Sequence, residues 1–183
     1  MIPSSAIRLR ATLTAALVAT LLSVAACAPS PHTTPSPTAT PLFANKEDAF
    51  AAAEVTYRAY TDASNATILT DADTFDPVFA WLRADALDSA RKNYSEYYAS
   101  GVTRTGASSF DHFTPGSYDP EARTVVVRLC IDVSDVDVLD AEGHSVVPGD
   151  RPPRRAVEVT MISADTATGL AISSAIPTDI LTC

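Results

Sequence analysis

Glycine is scarce in this chain, six residues in 183, each standing alone. A phosphate-cradling Gly-x-x-x-x-Gly-Lys loop is absent, and so is the Gly-x-Ser-x-Gly turn that exposes a hydrolase serine, which removes the usual nucleotide loop and the usual serine nucleophile. Histidine is scarce too. His32, His112 and His144 share no ligand spacing, so no metal and no other cofactor is expected. Lysine occurs only at positions 46 and 92, and the formal net charge of −9 argues against a nucleic-acid partner and against a basic patch seeking anionic lipid.

What the chain has in plenty begins at its start. Arg8 and Arg10 precede a run from Ala11 to Val24 in which every side chain is apolar or a small hydroxyl. That is a charged n-region with an h-region, too short to span a bilayer comfortably as a helix, and Leu9 between the arginines breaks a twin-arginine signal. The segment Val24-Ala25-Ala26-Cys27 resembles the lipobox of bacterial lipoproteins: a thiol to accept diacylglycerol, and small residues that let a peptidase reach the bond before it. The resemblance implies a signal peptide over residues 1–26, a palmitate-type lipid on Cys27, and a place on the extracytoplasmic face of the cell membrane. Two or three acyl chains at roughly 0.8 kcal/mol per buried methylene would make that anchor essentially permanent. Loss of residues 1–26 removes two arginines and no acid, so the net charge moves from −9 to −11 over 157 remaining residues.

Residues 27–44 hold the lipidated cysteine and a tether. Between Ala28 and Pro41 stand five prolines and six hydroxyl residues without periodicity, a composition that stays extended and cannot bury a core. It would lift a domain by up to roughly 40 Å. If lipid consumes Cys27, then Cys130 and Cys183 remain, and an exported compartment permits a disulfide between them; two unpaired buried thiols are the alternative.

One domain of ordinary size follows, over residues 45–183. Asn45 can cap a helix over residues 46–63 whose apolar face carries Phe50, Ala53, Tyr57 and Tyr60, opposite Glu54, Arg58 and Asp62. Asp73 can cap a short second helix with Pro77 in its first turn, and Phe75, Val78, Phe79 and Leu82 around Trp81. A third helix spans 83–99 with Leu87, Ala90, Tyr94, Tyr97 and Tyr98 on its aromatic side, and Gly101 ends it. The period then falls to two. Strands are expected over 102–115, 123–133, 154–163 and 170–176, with a loop starting at Pro115-Gly116 and a hairpin of 136–139 with 144–147 around the tip Asp140–Gly143. In the second strand Val125, Val127, Leu129, Ile131 and Val133 share one face, and Cys130 points to the other; in the third, Ala156, Val157, Val159 and Met161 are the apolar members. No internal repeat is present. The Asn65-Ala66-Thr67 and Asn93-Tyr94-Ser95 sequons read as chance in a bacterial lipoprotein.

Three helices followed by a strand meander is an α+β order. With the helix Glu47–Tyr60, the strand Val125–Val133 and the terminal Cys183, the chain resembles the NTF2-like (SnoaL-like, cystatin-like roll) superfamily, and more closely the small secreted lipoproteins of actinobacteria with that fold. The resemblance implies a cone in which three N-terminal helices pack on a curved antiparallel sheet around a pocket. It implies no reaction, because the fold hosts enzymes, binders and scaffolds. Pocket candidates are Tyr57, Tyr60, Trp81, Tyr94 and Tyr97. The expected function is non-catalytic binding of a protein or a small apolar ligand. The alternative is an isomerase or dehydratase in which Asp111 or His112 moves a proton and Tyr57 steadies an enolate. The alternative requires Asp111 or His112 to point into a closed cavity, and self-assembly through the open sheet face would require a contiguous apolar patch there.

Overall fold

The computed structural model describes residues 42–183; the h-region, Cys27 and the tether up to residue 41 lie outside the described residues. Helix α1 spans Lys46–Asn65. Asn45, in an extended conformation, accepts a hydrogen bond from the Asp48 amide at 2.8 Å, and Glu47 and Asp48 set negative charge against the positive end of the helix. Its buried residues are Ala49, Ala53, Thr56, Tyr57 and Thr61. The buried stripe is therefore centred on Ala49 and Ala53, with Phe50 and Tyr60 on its flank, because the small side chains let the helix axis approach the sheet.

A 3-10 turn, Ala72–Thr74, is capped by Asp71, and only then does the four-residue helix α2 begin, Asp76–Phe79. Asp73 thus caps nothing. The capping role falls to Asp71, two residues earlier, whose carboxylate accepts the Asp73 amide at 3.1 Å. Pro77 falls in the first turn of α2, where its missing N–H costs nothing. Helix α3 spans Ala84–Ser100 and ends at Gly101, left-handed at φ 65°.

Strands β1 (Thr103–Thr105), β2 (Ser109–Asp119), β3 (Thr124–Asp132), β4 (Asp137–Leu139), β5 (Arg154–Ser163) and β6 (Leu170–Pro177) follow. β2, β3, β5 and β6 form one antiparallel sheet in that order, while β1 and β4 pair separately. The fold is α+β, with helices packed on a curved antiparallel sheet. Two sequence expectations change and a third narrows. The single strand over 102–115 is two strands, β1 and β2, broken at Gly106. The expected loop at Pro115-Gly116 is the middle of β2: Pro115 pairs with Val127, and the register shifts between Pro115 and Ser117. β2 is an edge strand, the place in a sheet where proline is tolerated, and Gly116 is needed because an added Cβ would meet the Val126 carbonyl oxygen at 2.6 Å. The hairpin over 136–147 is short: one bridge, Leu139 to Ser145, with the Asp140 amide donating to the His144 carbonyl and the Val146 amide to the Val138 carbonyl, while the other edge of β4 pairs with β1.

The core lies between α1 and the inner face of the sheet, where Val125, Val127, Leu129, Val157, Val159 and Met161 alternate inward against Ala49, Ala53 and Tyr57. On the other face Arg128 and Glu158 pair at 2.7 Å across β3 and β5, which gives that face charge where self-assembly would need an apolar patch. Cys130 points to this outer face but is fully buried, bonded to Cys183. The chain end therefore folds back over β5 and β3. Among the described residues no helix is long and apolar enough to cross a membrane.

Candidate functional site

Between α1, the first three turns of α3 and the ends of β3, β5 and β6 lies a cavity of ≈ 460 Å³. Leu82, Ile131, Val157, Ile172 and Ile176 supply apolar wall, and Tyr57, Tyr60, Ser89, Asn93, Arg155 and Ser174 supply polar atoms. Such a mixture, a mostly apolar hole with a few convergent polar groups, is what small-molecule sites are made of.

Each helix contributes by its spacing. Tyr57 and Tyr60, three apart on α1, lie with ring centroids 5.7 Å apart, and Phe110 of β2 meets Tyr57 edge-on at 4.9 Å. Tyr57 is only 4% exposed, and what it leaves uncovered lines the cavity. Burial raises the Tyr57 pKa far above the usual phenol range, reinforced by Tyr60 and opposed in part by the Arg155 guanidinium. Burial, with Tyr94, pushes Tyr60 up to about 12. Both phenols stay neutral at physiological pH and act as hydrogen-bond donors, not as bases. On α3, Ala86 and Ala90 leave room for the hole, and Asp85 stands on its wall in the exposed first turn.

Of the five tyrosine and tryptophan candidates, only Tyr57 and Tyr60 line the cavity. Trp81 is half-buried away from it, its carbonyl accepting the Ile172 amide at 2.9 Å. Tyr94 packs instead against Phe75 and Phe79, at 4.9 and 5.7 Å, with its hydroxyl 3.2 Å from Ser64. Tyr97 is 41% exposed. Tyr94 and Tyr97 fall on the side of α3 that faces α2 or solvent, a rotation that helical spacing alone leaves open, and Trp81 lies in the turn before α3.

Asp111 and His112 lie outside the cavity, with side chains 48% and 62% exposed. His112 adopts φ 50° within an irregular step of β2, between Asp111 and Thr114, which turns it outward. Asp111 accepts from Arg154 at 2.7 and 2.8 Å and from His112 at 2.8 Å, and those bonds hold its carboxyl below the ordinary range. An exposed, ion-paired carboxylate of lowered pKa is the reverse of the raised, enclosed acid that pocket catalysis needs. Asp111, His112 and Cys130 bring possible ligand atoms within 4.8 Å of one another, but the Cys130 sulfur is spent in the disulfide and both Asp111 oxygens are taken by Arg154. The group does not fit a metal in this state.

Arg155 was not among the sequence candidates, although a signal existed. It precedes Val157, Val159 and Met161 at strand period, which places an arginine in line with three buried residues. Grouping Ala156 with the valines hid that pattern. Asn93, Ser89 and Ser174 carried no signal, since polar residues on an amphipathic helix or a strand end read as solvent-facing.

No protein-family model and no curated protein matches the chain. Among solved structures it is similar to a proposed aromatic ring hydroxylase from Novosphingobium aromaticivorans, with TM-score 0.47 and 13% identity over 73% of this chain and 89% of that one. It is also similar to the intermembrane-space region of the chloroplast protein ARC6 (0.45, 13%, 68% and 92%) and to Aln2 from a Streptomyces species (0.42, 18%, 70% and 88%). Overlap this partial carries no function across.

Proposed function

We propose that this protein is a lipid-anchored, extracytoplasmic binding protein of the actinobacterial lipoprotein type, in which an NTF2-like domain over residues 45–183 takes up a small, largely apolar molecule. The observation that supports a small molecule over a protein partner is the cavity itself: ≈ 460 Å³ of space, mostly apolar, with Tyr57, Tyr60 and Arg155 among its lining residues. The lipobox-like Val24–Cys27 and the proline-rich tether support the anchor. The pocket isomerase or dehydratase reading has lost the acid and the histidine it relied on, since neither lies on the cavity wall.

Two measurements test the proposal. Expressed with its full leader in a bacterial host, the protein should fractionate with the membrane, and Cys27→Ser should move it to the soluble exported fraction; equal membrane partition of both would overturn the anchor. Native mass spectrometry of the full-length protein after incubation with a small-molecule cell extract should show a bound species, lost in Ala90→Trp, whose indole fills the hole. No bound species, or one that Ala90→Trp retains, would overturn the cavity.

A further inference from the structure

Resting on the reading of the cavity as a binding site, we infer that its ligand is an apolar acid: an aromatic or aliphatic body bearing one carboxylate, held by Arg155 with the hydroxyls of Tyr57 and Tyr60. The cations of the domain are mostly committed elsewhere. Arg58, Arg128 and Arg154 pair with acids, and Arg83, Arg104 and Arg151 donate to backbone carbonyls. Arg155 has neither kind of partner among the described residues, and it is the arginine on the cavity wall.

Its position follows from β5. Arg155 pairs across the sheet with Ile131, two residues before Val157 in the same inward-facing row, so its guanidinium stands where the apolar floor meets the open end of the hole. Arg155 and Tyr57 both line the hole, and the guanidinium opposes part of the rise in the Tyr57 pKa. Together they offer a planar guanidinium fork suited to two carboxylate oxygens, and two phenols that stay protonated and can each donate a hydrogen bond. The remaining wall is Leu82, Ile131, Val157, Ile172 and Ile176, which solvates hydrocarbon. Charge count sets the class of anion. One arginine matches one negative charge, while Asp85 on the wall and a domain rich in acids repel a dianion such as a phosphate monoester.

The test uses full-length protein and two matched pairs of probes, 2-naphthoate with 2-naphthamide and decanoate with decanamide, titrated by calorimetry. At least one acid should bind about tenfold or more tightly than its neutral amide, the ratio a charge-assisted pair supplies. Arg155→Gln should bring that acid down to the level of the amide, and Tyr57→Phe should weaken it several-fold, each at an unchanged melting temperature. Arg155 is exposed and Tyr57→Phe keeps the ring, so both variants should fold. Equal binding of acid and amide, or a preference that survives Arg155→Gln, would overturn the inference. If the amides still bind and Ala90→Trp abolishes them, the cavity reading stands without the carboxylate; if neither acids nor amides bind, both fall.

Discussion

Arg154 shows how one side chain ties the sheet together. Its guanidinium, on β5, reaches Asp132 of β3 at 2.7 Å and Asp111 of β2 at 2.7 Å, spanning three strands at one end. The Asp132 carboxyl is held below its ordinary range first by Ser134 and then by Arg154, the Asp111 carboxyl first by Arg154 and then by His112. For acids whose folded pKa is depressed, the added stability is complete above the unfolded value, about 4, and disappears as pH falls through the folded value. The advantage of the native chain over Arg154→Ala in urea denaturation should therefore be full at neutral pH and shrink on acidification below about pH 4. An advantage that persists unchanged to pH 2 would show that Arg154 acts by packing alone. Of the site's residues, Tyr57 and Tyr60 were legible because helical spacing marks them as inward. Arg155 was not, because a charged residue at a strand end is ordinarily solvated, and only the neighbouring helices show that it borders a hole.

Among the elements, the helices were the most legible and β2 the least. A helix announces itself by a 3.6-residue period and a cap, both local, and Asn45 and Gly101 stand where those rules put them. β2 is irregular for non-local reasons. It bulges twice to follow β3, and proline and glycine inside it mimic a loop signal. Gly101 and Gly106 separate local from non-local demands. Both have positive φ, 65° and 70°, but Gly101 faces open space, whereas a Cβ on Gly106 would fall 1.8 Å from the Asp135 carbonyl oxygen. Gly101→Ala should cost about 1–2 kcal/mol, the left-handed penalty alone. Gly106→Ala should cost clearly more, both variants being read by guanidinium denaturation, because β1 must also part from the segment before β4. Equal losses would mean that this segment yields freely.

At the scale of the whole molecule, the Cys130–Cys183 bond closes a loop with a sequence separation of 53 and holds the chain end to the outer face of the sheet. On the chain-entropy account, Cys183→Ser should lower the unfolding free energy by roughly 4 kcal/mol, read from guanidinium denaturation under non-reducing conditions. A loss below about 1 kcal/mol would show that the unfolded chain is already compact without the bond. The bond also restrains the segment that follows Pro177, itself on the cavity wall, close to the mouth of the hole. What the sequence by itself determined is the kind and order of the elements, three helices and then antiparallel strands, since hydrophobic period, caps and turn residues are properties of neighbouring positions. Only the tertiary structure decided that β4 joins β1, that Asp111 and His112 face solvent, and that Tyr57 and Arg155 line one hole. A cavity is the volume left where α1, α3 and three strand ends fail to fill the space between them, and no short stretch of chain encodes that remainder.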